Sequence, residues 1–200
     1  MNVSRSNRKK ALSGISVFTV GIILAAAVIF GFLYNLVAEA LERRTYPRKY
    51  EEFVVKYAAE YGLPEKLIYS VIKTESDFDP GAVSYATPPA LGLMQLTEET
   101  YEWVSSKLGE TPSAFDIYDP DVNIRYGAWY LSYLYGRFDS LEVALAAYNA
   151  GPGNVSKWFE SSEYSSDGET LDHIPFKETR NYVAKVTKAM EIYERLYYSK

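Results

Sequence analysis

A stretch of 28 residues without a charged side chain, Ala11–Ala38, sets the first constraint on this 200-residue chain. As an α-helix it would measure about 42 Å, and the hydrocarbon core of a bilayer is only about 30 Å thick. Four basic residues precede it: Arg5, Arg8, Lys9 and Lys10. By the positive-inside rule these residues keep the N-terminus in the cytoplasm. The pattern predicts a single-pass anchor in the cell membrane, with the remainder of the chain extracytoplasmic.

A cleaved signal peptide is the alternative interpretation, because Ala38-Glu39-Ala40 has the small-x-small pattern of a cleavage site. The apolar run is much longer than the core of a usual signal peptide, which favours an uncleaved anchor. Both interpretations place residues 41–200 outside the cytoplasm. We therefore assign residues 1–40 to a basic cytoplasmic stub and a transmembrane helix, residues 41–49 to a charged tether, and residues 50–200 to a folded domain.

Composition excludes several classes of function. The chain has no cysteine, which rules out disulfides, thiolate nucleophiles and zinc–thiolate sites, and its single histidine, His173, leaves little room for a histidine-rich metal site. A net charge of -5 without a basic patch argues against a nucleic-acid partner. Hydrophobic residues make up 48% of the chain, as in a globular protein. Any catalysis must therefore rely on carboxylates, hydroxyls and amides, and no metal or other cofactor is expected.

The domain is predicted to be all-α, because helical segments alternate with turn residues and no sustained period-2 run indicates a sheet. Caps and terminators place helices at 51–61, about 64–76, 98–108, 120–138, 141–148, and from about 178 towards the C-terminus. The polar residues Glu160–Asp172 are expected to form a surface loop.

The most informative side chain is a carboxylate on an apolar helix face. Leu67, Ile68, Val71 and Ile72 form that face, and Glu75 continues it. Burial and the negative end of the helix would both raise its pKa. A glutamic acid that keeps its proton near neutral pH suits general-acid cleavage of a glycosidic bond. The alternative is a structural glutamate bonded to backbone N–H groups or to an arginine.

Residues 92–95, with the sequence GLMQ, place a glycine and an amide just before a capped helix. Glycine permits close backbone approach, and Gln95 offers both a donor and an acceptor to a sugar. Met94 belongs more often to a hydrophobic core. The segment alone therefore leaves a structural and a binding interpretation open.

Two tyrosines are further candidates. Tyr148 and Asn149 lie at a predicted helix end before Gly151, where a ring and an amide could meet a ligand together. The alternative is a glycine-capped helix end with Tyr148 packed on the helices. Tyr182 belongs to an apolar stripe on the last helix, where such a residue more often packs in the core.

Taken in order, these segments resemble the lytic transglycosylases of the soluble-lytic-transglycosylase (SLT) type, whose catalytic domain is similar to goose-type lysozyme. The matching segments are Glu75-Ser76, Gly92-Leu93-Met94-Gln95, Asp119-Pro120 with Asn123-Ile124-Arg125, Ala147-Tyr148-Asn149-Ala150-Gly151 and Glu178-Thr179-Arg180-Asn181-Tyr182-Val183. The resemblance covers about residues 50–198 and implies a lysozyme-like multi-helix fold. The chain departs from it at residues 87–90, where the family more often has a glycine before the alanine.

The resemblance implies that the domain cleaves the β-1,4 bond between N-acetylmuramic acid and N-acetylglucosamine in peptidoglycan, leaving a 1,6-anhydromuramyl end. It assigns Glu75 as the sole catalytic acid and base. It also implies substrate-binding roles, in which Ser76 orients the carboxylate and Met94 shapes the groove floor. The residues that would line the groove are Gln95, Tyr148, Asn149 and Tyr182.

Two other functions stay open at this point. The first is a hydrolytic muramidase of goose-lysozyme type, and the second is a non-catalytic peptidoglycan-binding scaffold. Glycosidases usually pair two carboxylates, and the nearest candidates in sequence, Asp77 and Asp79, are more typical of turn residues. The sequence is silent on protein partners.

Overall fold

The computed structural model describes residues 17–111 and 113–199. It divides into two units, of which the first ends at Thr45 and the second begins at Tyr46. The first unit contains helix α1, Val17–Thr45. Residues Phe18–Thr45 are long and apolar enough to cross a membrane, and no other helix in the described part of the chain is. The basic residues expected to form a cytoplasmic stub, and residues 11–16 of the predicted anchor, lie outside the described residues.

Helix α1 continues through residues 41–45, which the sequence analysis assigned to the tether. An ion pair between Arg43 and Glu39, one helical turn apart, joins side chains 2.8 Å from each other. Such pairs stabilise a helix modestly, and basic side chains in the last turn, here Arg43 and Arg44, complement the helix dipole. The charges that suggested a linker therefore suit a helix end equally well.

The second unit is all-α, as predicted, apart from one short β-hairpin. Its helices are α2 Glu51–Tyr61, α3 Glu65–Ser76, α4 Glu98–Leu108, α5 Pro120–Phe138, α6 Leu141–Ala150, α7 Pro152–Phe159 and α8 Lys177–Tyr193, with a 3-10 turn at Ala114–Tyr118 and a π-helical turn at Glu194–Tyr198. The predictions for α2 to α6, and for the start of α8, are confirmed to within two residues. No helix or strand falls within residues 160–172, as expected of a surface loop.

Local capping explains why these boundaries could be predicted. The Thr97 hydroxyl accepts a hydrogen bond from the Thr100 backbone N–H at 3.2 Å, which satisfies one of the free donors at the start of α4. The Asp119 carboxylate accepts from the backbone N–H of Asp121 at 2.9 Å in the same way, before Pro120 begins α5. At the C-terminal end of α2, Gly62 adopts a left-handed conformation with φ of 68° and ends the helix.

Helix α7 and the short β-hairpin were not predicted. Helix α7 begins at Pro152, in a Gly-Pro-Gly segment interpreted as a terminator only, because proline suits the first turn of a helix as well as a turn. Strands β1, Ala90–Leu91, and β2, Leu96–Thr97, pair antiparallel. Each strand has only two residues, too few for an alternating pattern to be recognised.

The segment before α2 is packed onto the domain. Tyr193 donates a hydrogen bond from its hydroxyl to the Pro47 carbonyl at 2.9 Å, and Tyr197 donates to the Tyr46 carbonyl at 2.8 Å. The Tyr46 ring also meets the Tyr193 ring edge-on, with centroids 5.8 Å apart. Residues 46–50 are thus fixed to the end of α8 and the turn after it.

Helices α3 and α8 pack against each other and carry much of the core. From α3, Leu67, Ile68, Val71 and Ile72 are all buried, so the predicted apolar face is confirmed. Burying a side chain of this size stabilises the fold by about 1.5–3 kcal/mol. The packing brings the C-terminal turn of α3, which contains Glu75, towards Tyr182 on α8.

Candidate active site

Glu75 lies in the last turn of α3, which ends where Asp77 adopts a left-handed conformation. Its side chain is half-buried. Burial raises the pKa of the Glu75 carboxyl from its usual 4.5 to about 7, and hydrogen bonding by Tyr182 opposes part of this rise. A carboxyl with this pKa is divided between its two protonation states near neutral pH. It can therefore donate a proton in one step and accept one in the next.

Two tyrosine hydroxyls lie within electrostatic range of Glu75. Burial and the Glu75 charge raise the pKa of both Tyr148 and Tyr182 well above the usual range, so both stay protonated. The buried Tyr182 hydroxyl has no other hydrogen-bond partner among the described residues, so its proton is available to stabilise an ionised Glu75. The Tyr148 hydroxyl instead donates to the Met94 carbonyl at 2.8 Å.

Residues 92–95 are held in place by a buried asparagine from α5. The Asn123 side-chain oxygen accepts from the Met94 backbone N–H at 2.7 Å, and its nitrogen donates to the carbonyls of Ile117, at 2.8 Å, and Leu91, at 3.2 Å. Gly92 passes beside this amide with φ of 75°, and a Cβ there would lie 2.4 Å from the Asn123 nitrogen. The close approach expected of Gly92 is thus made to a side chain of the domain itself.

Ser76 and Gln95 connect α3 to the same segment. The Ser76 hydroxyl donates to the Leu93 carbonyl at 2.8 Å and lies 3.2 Å from the Ile72 carbonyl. The Gln95 side-chain nitrogen donates to the carbonyls of Gly92, at 2.9 Å, and Ala82, at 3.1 Å. Its donors are therefore used within the loop, and its side-chain oxygen remains the group that can meet a ligand.

Met94 lies beneath the surface of the site. Its side chain is completely buried, so it can shape the predicted groove floor only from below. It packs against Gly127 of α5, where a Cβ would lie 2.4 Å from the Met94 sulfur. The sequence indicates that a methionine lies near the site, but not where its side chain points. That direction depends on Gly127, which is distant in the sequence and has no Cβ to exclude the Met94 side chain. Met94 contributes to the site through its carbonyl, which receives the Tyr148 hydroxyl.

Asn149 is exposed and lies with Tyr148 on the wall of a cavity of about 640 Å³. The structure therefore brings Glu75, Tyr148 and Tyr182 together, and places Asn149 in an adjoining cavity. The sequence analysis did not predict that Asn123 braces residues 92–95. The available signal was a polar residue four positions after the Asp119 cap, on a helix face that the structure shows to be buried.

Among the described residues, no cluster of three or more His, Cys, Asp and Glu side chains could hold a metal ion.

Removing the Tyr182 hydroxyl is expected to raise the pKa of Glu75 above its value of about 7, because this hydroxyl stabilises the ionised form. The measurement is the carbon NMR shift of the Glu75 carboxyl as a function of pH in a Tyr182→Phe variant. Tyr69→Phe is the matched control, since Tyr69 is a buried tyrosine on α3 whose hydroxyl interacts with Arg48 instead. An unchanged or lower pKa in Tyr182→Phe would contradict the assignment.

Comparisons with known proteins bear on this site. Residues 52–170 match the family described as Transglycosylase SLT domain. The chain is 31% identical over 192 residues to membrane-bound lytic murein transglycosylase C of Edwardsiella ictaluri, covering 84% of this chain and 52% of that protein. It is 35% identical over 183 residues to the protein of the same name from Haemophilus ducreyi, covering 80% and 48%. The chain thus spans about half the length of these curated relatives.

Solved structures agree on the fold. An inactive mutant of lytic transglycosylase Slt from Pseudomonas aeruginosa superimposes with a TM-score of 0.64 and 37% identity, covering 75% of this chain and 24% of that one. The 70-kDa soluble lytic transglycosylase of Escherichia coli gives a TM-score of 0.67 and 28% identity, covering 77% and 25%. The lysozyme-like multi-helix fold expected for the domain is confirmed by these similarities.

Proposed function

The chain belongs to the transglycosylase SLT domain family, and we propose that it cleaves peptidoglycan glycan strands as a lytic transglycosylase. The bond broken is the β-1,4 bond between N-acetylmuramic acid and N-acetylglucosamine, and Glu75 acts as both acid and base. The observation that carries this proposal is a half-buried carboxyl with a pKa raised to about 7, next to two protonated tyrosines. The names of the similar proteins support the same reaction.

In the first step, protonated Glu75 donates its proton to the glycosidic oxygen, and the bond from that oxygen to C1 of the muramic residue breaks. Positive charge develops on the sugar ring while Glu75 becomes a carboxylate, so the two opposite charges stabilise each other. The Tyr182 hydroxyl stabilises the carboxylate in this interval, because its own pKa is too high for it to lose a proton.

In the second step, the 6-hydroxyl of the same muramic residue attacks C1. The Glu75 carboxylate accepts the proton of that hydroxyl, and the new bond closes the 1,6-anhydro ring. Glu75 ends the cycle protonated, as it began, and no water is consumed.

The surroundings of Glu75 favour a mechanism with one carboxylate. Asp77 has a side chain that is 76% exposed and pairs with Lys73. The Asp79 carboxylate accepts a hydrogen bond from the Gly81 backbone N–H at 2.9 Å, which is a turn contact. Neither residue is placed as the buried second carboxylate on which retaining and inverting glycosidases rely.

Around this acid, we assign Tyr148, Asn149 and the side-chain oxygen of Gln95 to the lining of the glycan groove. Ser76 is a positioning residue, because its hydroxyl ties the end of α3 to the Leu93 carbonyl. Met94 supports the groove from below and through its carbonyl.

For the cellular location, we propose a single-pass membrane protein with its N-terminus in the cytoplasm. Helix α1 supplies the span, and the basic residues before it set the orientation. Residues 1–40 would then form the stub and anchor, residues 41–49 the connection, and residues 50–200 an extracytoplasmic catalytic domain. Relatives named as membrane-bound support this arrangement.

The masses of the products test the proposed reaction. We expect the full-length protein, added in detergent to purified sacculi, to release muropeptides that are lighter by one water than those released by a hydrolytic muramidase. Borohydride reduces a free sugar end and should leave these products unchanged, because an anhydro end cannot be reduced. Products with reducible ends would indicate a hydrolase, and a complete absence of release would indicate a scaffold.

A further inference from the structure

A second cavity lies where the segment before α2 meets α3 and α8, and its volume is about 570 Å³. None of its lining residues belongs to the glycan groove proposed above. Tyr46 contributes an aromatic ring to the wall, and the polar side chains come from two helices. They are Lys73 and Thr74 of α3, and Asn181, Lys185 and Lys188 of α8. The lining formed by the described residues thus holds three cationic side chains and no acidic one.

Helical spacing brings the α8 groups together. Asn181, Lys185 and Lys188 are separated by four and three residues, so they lie on one face of the helix, and all three are exposed. Ala184 lies on the same face, and its short side chain leaves space between the longer ones. The face that carries these donors is therefore open to a ligand from solvent.

Tyr46 and Lys73 form a fixed part of the lining. The Lys73 nitrogen lies over the Tyr46 ring, 5.2 Å from its centre, and a cation in this position is attracted to the face of the ring. The same ring is held edge-on against Tyr193. One cation of the cavity is therefore already in place before any ligand arrives.

The domain itself neutralises these lysines only weakly. Lys73 pairs with Asp77, whose side chain is 76% exposed, and Lys188 pairs with Glu191 at 3.0 Å between two largely exposed side chains. Exposed pairs of this kind are weak, so an anion in the cavity can compete for both lysines. Lys185 forms no ion pair with any residue that the structure describes.

These groups fit an anion that offers several oxygens, as phosphate does. Lysine ammonium groups bind phosphate as point charges, and the Asn181 amide adds a neutral donor. The Tyr46 ring, with Ala184 and Ala189, adds apolar surface beside the donors. A phosphate that carries apolar groups, as in a phospholipid, therefore uses more of the cavity than a free phosphate does. The positive charge is local, since the whole chain has a net charge of -5.

The position of Tyr46 in the chain brings the cavity close to a membrane surface. The apolar stretch ends at Ala38, α1 ends at Thr45, and Tyr46 is the next residue. The seven helical residues after Ala38 measure about 10 Å, and the headgroup layer on each side of a bilayer is roughly 5–8 Å thick. In the proposed location, Tyr46 therefore lies within about one Debye length of the headgroup phosphates.

We propose that this cavity binds the headgroup phosphate of an anionic phospholipid in the membrane that α1 spans. Lys185 and Lys188 bind the phosphate oxygens, Lys73 adds the third charge, and the Tyr46 ring contacts the apolar part of the lipid. The catalytic domain is then held at the bilayer surface by a lipid as well as by its anchor, which limits its reach to strands close to the membrane. This inference rests on the proposed membrane location and goes beyond the proposed reaction.

The affinity for a short-chain phosphatidylglycerol tests the cavity itself. The full-length protein in a neutral detergent is titrated with this lipid and with short-chain phosphatidylcholine, and the NMR shift of the Ala184 backbone amide reports binding. We expect phosphatidylglycerol to bind more tightly, and Lys185→Gln and Lys188→Gln each to weaken its binding by about 5-fold, the effect of one lysine near an anionic surface. Lys157→Gln, which alters an exposed lysine of α7 outside the cavity, is the matched control and should bind as the wild type does.

The outcomes of this titration are distinct. Lys185→Gln removes no ion pair among the described residues, so weaker binding in this variant would not result from unfolding. Equal affinities for the two lipids, or an unchanged affinity in Lys185→Gln, overturn the inference. Inorganic phosphate that binds as tightly as phosphatidylglycerol would assign the cavity to a soluble anion and would overturn it too.

A measurement in a bilayer asks whether the cavity meets the membrane of its own anchor. The full-length protein is placed in nanodiscs of phosphatidylcholine alone, or of phosphatidylcholine and phosphatidylglycerol in equal parts. Mass spectrometry then gives the rate at which a water-soluble reagent acetylates each lysine. Lys185 should react several-fold more slowly when phosphatidylglycerol is present, relative to Lys157 of the same molecule, and equal relative rates in both bilayers overturn the inference. Neither measurement involves cleavage, so the outcome is independent of the proposed reaction.

Discussion

Replacing Glu75 by glutamine is expected to lower the rate of muropeptide release by about 10³-fold or more, because one side chain performs both proton transfers. Glutamine keeps the size of the side chain and its place in the last turn of α3, but its amide is not acidic enough to transfer a proton. The measurement is the release of soluble muropeptides from purified sacculi, followed by chromatography over a time course.

The matched controls are the two carboxylates that follow Glu75 in the chain. Asp77→Asn and Asp79→Asn should have only small effects, since asparagine tolerates the left-handed conformation of Asp77 and forms similar turns. Glu75→Gln should still bind sacculi, because the groove residues are unchanged. Full activity in Glu75→Gln, or an equal loss in Asp77→Asn, would sink the assignment of Glu75 as the acid and base.

Stability measurements would show that this loss is chemical rather than a failure to fold. The folded-state pKa of Glu75, about 7, lies above its usual 4.5, so the folded state binds this proton more tightly and loses stability as pH rises between these values. At pH 8 the cost is roughly 2 kcal/mol, below the ~3 kcal/mol of the full pKa difference because the side chain is half-buried. Glu75→Gln should therefore be more stable than the wild type at pH 8, and the gain should vanish below about pH 4.5.

The helices could be predicted from the sequence because their ends are encoded locally. Thr97, Asp119 and Gly62 act within three or four residues of themselves, so capping chemistry placed α4, α5 and the end of α2 without knowledge of the fold. The apolar face of α3 was likewise visible as a helical repeat. Glu75 could be recognised from this repeat as a carboxylate that burial would keep protonated.

The environment of Glu75 could not be predicted in this way, because it depends on contacts between distant segments. Tyr182 reaches Glu75 only through the packing of α8 on α3, and Met94 turns inward because Gly127 leaves room for it. Family resemblance indicated which residues meet, but not the direction in which the Met94 side chain points. Helix α7 was not predicted because a Gly-Pro-Gly segment can either end one helix or begin the next. Only the burial of Val155 and Trp158 in the folded domain shows that a new helix begins there.

The second large effect concerns the segment beside the acid, where Gly92→Ala is expected to destabilise the domain by about 3–5 kcal/mol. A residue with a Cβ costs roughly 1–2 kcal/mol in the left-handed conformation that Gly92 adopts. The added Cβ would also lie 2.4 Å from the Asn123 nitrogen and 2.8 Å from the Ile117 carbonyl oxygen. Crowding there, with disturbance of the buried hydrogen bonds of Asn123, accounts for the remaining ~2–3 kcal/mol. Urea unfolding, monitored by tryptophan fluorescence, measures the change.

Gly62→Ala is the control that separates conformation from crowding. Gly62 has a φ of 68°, close to that of Gly92, but apart from its own chain neighbours no atom lies within 4 Å of the position its Cβ would take. It should lose only the 1–2 kcal/mol or so of the left-handed conformation. The additional loss of stability in Gly92→Ala, compared with Gly62→Ala, then measures how firmly Asn123 holds residues 92–95. Ser76 and Tyr148 also bond to that segment, so the rate of muropeptide release should fall together with the stability. Equal losses in the two variants would mean that the segment yields freely, and that Asn123 does not brace the site.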